Sequence, residues 1–296
     1  MEGTATLSRP LPVLRRDGRI VNALSVDVED YFQVEALARV VDRSEWDGMP
    51  SRVERNVDRL LALFAATKVK ATFFTLGWVA ERHPAMVRRI VAQGHELASH
   101  GFGHHRADGQ TRDEFRADVR RSKALLEDLG QAPVIGYRAA TFSIGARNLW
   151  AFEVLAEEGF AYSSSLYPIA HDLYGMPDAP RAPFRPANAD ILEIPLSTVR
   201  RLGRNWPCAG GGYFRLLPYW LSRANIRSLN AAEARPAVFY MHPWEIDPAQ
   251  PHQPGLSLKS RFRHYLNLTR MEGRLARLVA DFAWDSMNAV FRGAKR

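Results

Sequence analysis

The chain has 296 residues, 46% of them hydrophobic, one cysteine and a formal net charge of +8. That length suffices to bury a sizeable core. A lone cysteine excludes an intramolecular disulfide and a thiolate-rich zinc site, and no run of about 18 apolar residues is present to cross a bilayer. The positive charge favours acidic partners, but the arginines are scattered in pairs such as Arg88-Arg89, Arg120-Arg121 and Arg200-Arg201, and no nucleic-acid-binding signature accompanies them, so no nucleic-acid partner is expected.

Residues 1–18, rich in Pro and Arg, read as a poorly ordered arm. The start lacks the apolar core and cleavage site of a secretory signal, which makes a cytoplasmic location the expectation. Ile20 to Val28 reads as a buried strand ending in the acidic run Asp27-Val28-Glu29-Asp30. Ser51 and Glu54 predict a capping box for a helix whose apolar face is Val53, Val57, Leu60, Leu61 and Phe64. A strand over Lys70–Leu76 follows, then a helix opening near Pro84 and closed by Gly94. The pattern repeats: strand His95–Ser99, helix Thr111–Leu129 with the capping box Thr111/Glu114, strand Pro133–Tyr137, helix Asn148–Glu158 and strand Phe160–Leu166.

His171 to Asn188 reads as an irregular connection. A strand over Ile191–Val199, a flexible glycine turn at 210–214, a helix over Leu217–Leu229, a strand over Ala237–Met241 and a terminal helix over Leu268–Phe282 complete the chain. The apolar stripe of that terminal helix reads as core packing, with a membrane-surface position as its alternative. Strands alternating with helices imply a parallel sheet or barrel. In such folds reactive residues gather at the carboxyl ends of strands, where Asp27, His100 and Arg138 all fall.

His100 and His104, separated by three residues, have the spacing to converge on one divalent metal where the backbone between them is helical or tightly looped, and an upstream carboxylate completes a facial set. A metal with an open position lowers the pKa of a coordinated water from 15.7 to about 7. A second carboxylate beside it is a natural general base. The isolated His83, His171, His252 and His264 read as surface or satisfied core residues.

Together with His242-Pro243-Trp244-Glu245, Tyr137-Arg138-Ala139 and Gly210-Gly211-Gly212-Tyr213-Phe214, these motifs resemble the polysaccharide deacetylases of the carbohydrate esterase 4 group, the NodB homology domain. Within it the chain looks most like the exopolysaccharide and exosortase-associated deacetylases with a DUF3473-type extension. The resemblance implies an α/β fold, a distorted (β/α)7-type barrel, over 19–250 with an insertion at about 170–235, followed by a helical extension over 251–296. It implies Asp27 as general base, Arg138 as its support and His242 as the acid that protonates the leaving amine. His100 and His104 would be metal ligands, with His105 the alternative for the second, and either Glu29 or Asp30 the carboxylate ligand. Tyr137, Trp206, Gly211, Gly212, Tyr213 and Trp244 are the candidates for substrate contact. Zinc is the expected ion, with cobalt, nickel or iron(II) as alternatives.

The implied activity is hydrolysis of N-acetyl groups on an amino-sugar polysaccharide or its lipid-linked precursor, in exopolysaccharide biosynthesis. A cyclic amide hydrolase of the same fold and a non-catalytic glycan-binding component of a synthesis complex are the alternatives. The expected partner is an N-acetylated glycan, with peripheral contact to an anionic membrane or to synthesis machinery at the inner membrane. One departure stands out: where the family commonly places an aspartate that tunes the distal histidine, this chain has Tyr162-Ser163-Ser164-Ser165.

Overall fold

Strand β1 (Arg19–Val28) runs ten residues, all but the first buried. A strand this continuously buried belongs in the middle of a parallel sheet covered on both faces. A computed structural model describes residues 4–5 and 11–293. It places β1 beside β2 (Thr72–Thr75), followed by β3 (Glu96–Ser99), β4 (Gly136–Tyr137), β5 (Tyr162–Ser163) and β6 (Leu192–Glu193), with β7 (Val238–Met241) on the other side of β1. Every pairing along this path is parallel. The gap between β6 and β7 is bridged by irregular chain: Ile194 N donates to Ser163 O, Cys208 N to Ser197 O, and Tyr240 N to Ala209 O. The result is a curled, distorted barrel of the expected class.

The connections are the helices α1 (Val53–Thr67), α2 (Gly77–Arg82), α3 (Pro84–Ala92), α4 (Arg112–Gly130) and α5 (Ala151–Glu157). The capping box at Thr111 and Glu114 forms as its residues predict. The one expected at Ser51 and Glu54 does not: α1 has no side-chain cap of its own. Ser51 Oγ donates to Asp30 instead, and Glu54 pairs with Arg89.

Later elements depart further from expectation. The strand foreseen over Ile191–Val199 is cut at Pro195, whose missing N–H ends the ladder. Its second part forms a separate hairpin, Thr198–Arg201 with Arg204–Pro207. The glycine run is not a loose turn: Gly210, at φ +115, lies so close to Tyr240 that an added Cβ would sit 2.1 Å from its carbonyl oxygen, and it starts helix α6 (Gly211–Leu216). After α7 (Tyr219–Ala231) and β7, the helices α8 (Leu258–Tyr265) and α9 (Leu268–Asp281) lead to strand β8 (Ala283–Asp285). β8 pairs in parallel with Val21–Ala23 of β1, and α10 (Met287–Arg292) ends the described chain. The segment expected to be a helical extension thus returns a strand to the central sheet.

Part of the segment read as a poorly ordered arm, residues 1–3 and 6–10, lies outside the described residues. In the rest, Arg15–Arg16 folds back on Arg19–Ile20, and Thr4–Ala5 pairs with Arg185–Pro186.

The membrane-surface alternative for the terminal helix is overturned. Leu268, Met271, Leu275, Leu278 and Val279 of α9 are buried, most of them in one core with Val57, Leu60 and Phe64 of α1. Leu275→Ala or Leu278→Ala is therefore expected to cost about 2–5 kcal/mol of stability by urea unfolding. An unchanged unfolding midpoint would mean that this face is not core.

Candidate metal centre

Three carboxylates leave the end of β1 in three directions. Alternation along the strand puts Ser25 and Asp27 on one side, and there Asp27 Oδ1 accepts from Arg138 Nη1 at 2.6 Å. The chain then turns, with Glu29 N donating to Asp27 O, and Glu29 faces the histidine loop. Asp30 points to α1. Its Oδ2 accepts from Ser51 Oγ (2.9 Å), Arg52 N (2.7 Å) and Val53 N (3.1 Å), and its Oδ1 from Tyr31 N (2.9 Å). It satisfies the free amides of a helix start from another part of the chain. Of the two candidate ligands, the geometry brings Glu29 to the histidines and keeps Asp30 away from them.

The histidine loop follows β3. His100 N donates to Thr75 O, and Gly101 at φ +77 turns the chain. Asp118 of α4 then accepts the amides of Phe102 (2.8 Å) and Gly103 (3.2 Å). His104 sits at φ +54, a left-handed conformation uncommon for a residue with a Cβ, and its carbonyl accepts from Arg43 at 2.8 Å. That twist sends His104 inward, while His105 is exposed.

Ligand atoms of Glu29, His100 and His104 all lie within 4.8 Å of one another, and all three residues are buried. His100 Nδ1 is 2.8 Å from Arg138 O, which fixes that nitrogen as the donor and leaves Nε2 free with its lone pair. Burial pulls the His100 imidazole down to about 4, which keeps it neutral. Glu29 Oε2 stands 2.8 Å from His104 Nε2, yet it is buried without a hydrogen-bond partner. Burial pushes Glu29 up, but the imidazoles of His104 and His242 hold it at about 2. A buried carboxylate and two buried imidazoles converging on one point, with Nε2 of His100 left free, are a donor set that fits one divalent cation.

Arg138 supports Asp27 and is itself held on every side. Nε donates to Ser164 O (3.0 Å), Nη2 to Ser164 Oγ (3.0 Å) and Nη1 also to Ser25 Oγ (2.8 Å). The guanidinium lies 4.1 Å over the Phe74 ring.

His242 approaches from the end of β7, its Nε2 3.4 Å from Glu29 Oε1 and its side chain 18% exposed. The Tyr162-Ser163-Ser164-Ser165 motif offers no aspartate to face His242, but another carboxylate, which sequence reasoning missed, stands beside that ring. Glu245 Oε2 accepts from His242 N (3.0 Å) and stands 3.6 Å from His242 Nδ1, and its Oε1 accepts from Arg215 Nε at 2.8 Å. Burial lowers the His242 imidazole, but Glu29 and Glu245 outweigh it and raise the ring to about 9. The signal was present in sequence: in His242-Pro243-Trp244-Glu245 a carboxylate follows three residues after the histidine, with proline forcing the turn.

The residues expected to touch substrate separate. Tyr137 is buried against Phe115 and Phe160. Trp244 is sandwiched between His242 and His264, at 5.2 and 4.4 Å between ring centroids, so neither has a free face for a sugar. Gly211 lies against the Tyr240 ring. Gly212 is exposed, Tyr213 is half-buried beside His171, and Trp206 is on the hairpin. Tyr213 and Trp206 line a cavity of about 1170 Å³ that includes neither Glu29, His100, His104 nor His242.

Glu193 is a further buried acid that sequence reasoning passed over. Its Oε1 accepts from Ser165 N (3.0 Å) and Leu166 N (2.8 Å), which fixes the turn carrying Ser164 and hence Arg138. Burial raises its carboxyl from 4.5 to about 7, against the lowering by Ser163 and these amides.

Residues 45–160 match the polysaccharide deacetylase family and residues 164–292 a domain of unknown function, DUF3473. A peptidoglycan deacetylase of Helicobacter pylori is 33% identical over 119 residues, covering 38% of each chain. A chitooligosaccharide deacetylase of Sinorhizobium fredii is 30% identical over 143 residues, 48% of this chain and 60% of that one. The chain thus matches less than two thirds of the length of these relatives. A Mycobacterium smegmatis crystal structure assigned to the polysaccharide deacetylases superposes with a TM-score of 0.62 at 22% identity, over 96% of this chain and 94% of that one, which is a likeness of fold.

Two predictions follow from the buried acids. Glu29→Gln should lower affinity for added zinc by tenfold or more, whereas Asp30→Ala should keep the metal and lose about 1–2 kcal/mol of stability as a helix cap is removed. Elemental analysis after dialysis and urea unfolding separate the two. Glu193, held protonated in the fold, contributes stability that is complete below about pH 4.5 and is lost as pH rises through about 7, a span worth about 3 kcal/mol. Glu193→Gln should flatten that part of the stability profile, and an unaltered slope would show that the residue titrates normally.

Proposed function

We propose that this chain, which belongs to the polysaccharide deacetylases of the carbohydrate esterase 4 group and carries a DUF3473 domain as its carboxyl-terminal part, hydrolyses N-acetyl groups on an amino-sugar polysaccharide or its lipid-linked precursor, in exopolysaccharide biosynthesis. The observation that carries this reading is the convergence of Glu29, His100 and His104 within 4.8 Å, flanked by the Asp27–Arg138 pair and by His242. Glu29, His100 and His104 would hold a divalent ion, zinc by default. Such an ion supplies an activated water and polarises the acetyl carbonyl.

The protein's own groups divide the proton work. Asp27, oriented by Arg138 at 2.6 Å, accepts the proton of the attacking water. Because Arg138 is fully buried and bonded on every nitrogen, Asp27 keeps one orientation, which is the pre-organisation a general base requires. His242, charged under the influence of Glu29 and Glu245, donates its proton to the departing sugar nitrogen and leaves acetate and a free amine. Glu245, fixed by Arg215, holds that ring and favours its charged form. The partly exposed edge of His242 marks the side from which the glycan enters.

Acetate release from chitooligosaccharides, peptidoglycan fragments and lipid-linked N-acetylhexosamine, with chelation and metal restoration on the same preparation, tests the reading. Asp27→Asn and His242→Asn should each lower kcat by about 10²–10⁴-fold, with zinc still bound to the Asp27 variant. Glu245→Gln should lose about 10–100-fold. No release from any acetylated glycan, with oligosaccharide binding unaltered in Asp27→Asn, would favour a non-catalytic glycan-binding role. Turnover of cyclic amides alone would indicate the amide hydrolase.

A further inference from the structure

The hairpin Thr198–Arg201/Arg204–Pro207 turns through Leu202 and Gly203 alone, because Arg201 pairs directly with Arg204. Both turn residues are left-handed, at φ +50 and +73, the geometry of a tight hairpin turn that favours Asn or Gly at its first position. Leucine there is strained, since its Cβ crowds the backbone. It is also 98% exposed. Neither turn chemistry nor burial accounts for an apolar side chain at this tip.

Its surroundings are cationic. Arg200, Arg201 and Arg204 are exposed, and the neighbouring Glu233 is already taken by Arg181 and Arg235. Arg200 and Arg204 have no ion-pair partner among the described residues. Behind the tip, Trp206, 53% exposed, and Leu216, 48% exposed, line the 1170 Å³ cavity with Arg181 and the hairpin arginines, and Asp178 is the one acid in that lining. An apolar tip ringed by unpaired guanidinium groups is complementary to a surface that is anionic at its face and apolar beneath, with Trp206 suited to the boundary between them.

We propose that this hairpin docks the protein on an anionic lipid surface, with Leu202 entering the acyl boundary and Arg200 and Arg204 meeting the headgroups. The inference is independent of the deacetylase reading. It also differs from the overturned idea of a surface-lying terminal helix, since α9 is core and the hairpin projects from the fold.

Sedimentation of the full chain with vesicles of phosphatidylcholine alone, or of phosphatidylcholine mixed with phosphatidylglycerol, tests it. Binding is expected to the mixed vesicles only, and to weaken as salt is raised. Leu202→Asn fits the left-handed turn better than leucine, so its melting temperature should be equal or higher while vesicle affinity falls by about tenfold or more. Arg200→Glu combined with Arg204→Glu should abolish sedimentation. Equal binding to both vesicle types, or undiminished binding by Leu202→Asn, overturns the proposal. Retention of the wild type on an acidic polysaccharide with no vesicle binding overturns it too, in favour of a glycan surface.

Discussion

Arg138 connects strands that are not neighbours, and the site depends on that connection. It leaves the end of β4 and bonds Ser25 and Asp27 of β1, with β2 and β3 between them in the sheet. On a flat sheet these strands would be about 14 Å apart, beyond the reach of an arginine side chain, so the contact exists only because the sheet curls. Burying a guanidinium and a carboxylate costs several kcal/mol per ion unless geometry and additional hydrogen bonds offset it. Here the seryl groups of residues 25 and 164 and a backbone carbonyl supply those bonds. Curl, register and the orientation of Asp27 are thus one constraint.

The three acids at the end of β1 show how little backbone change separates a partner for a guanidinium, a partner for imidazoles and a helix cap. Asp27 obeys strand alternation and faces the barrel interior. The turn at Glu29 releases the next two residues from that rule, so Glu29 meets the imidazoles and Asp30 the amides of α1. Each carboxylate is buried, and each has a distinct source of compensation: a guanidinium, a set of imidazoles, a helix start. Exchanging any two would leave a buried charge facing the wrong partner, a loss of several kcal/mol.

What the sequence made legible follows from locality. The strands up to β5, the Thr111–Glu114 box and the spacing of His100 and His104 are short-range patterns, and they appear where their residues point. What was illegible depends on distant chain. Asp30 caps a helix more than twenty residues on, so Ser51 looked like the cap because only neighbours can be weighed in sequence. Glu245 is three residues from His242 and could have been read locally, but the Arg215 that fixes it lies thirty residues away in sequence, and only the fold brings it there. β8 is three residues long, and its only preparation is the buried Trp284, whose indole N–H donates to Leu278 O. The choice between His104 and His105 turned on one left-handed φ, which periodicity does not encode.

The two family matches divide the chain at 160–164, yet the barrel does not divide there. β1 to β4 precede that point, while β6, β7 and β8 follow it, and the last two pair directly with β1. The earlier part alone would expose a long edge of the most buried strand, with every unpaired amide and carbonyl that this implies. The later part alone would have strands without the sheet they join. The candidate site is shared in the same way: Glu29, His100 and His104 come from the first part, and His242 with its Glu245 and Arg215 neighbours from the second. The two groups of residues meet only in the closed barrel, so the DUF3473 region completes the barrel wall and contributes His242, Glu245 and Arg215 to the candidate site.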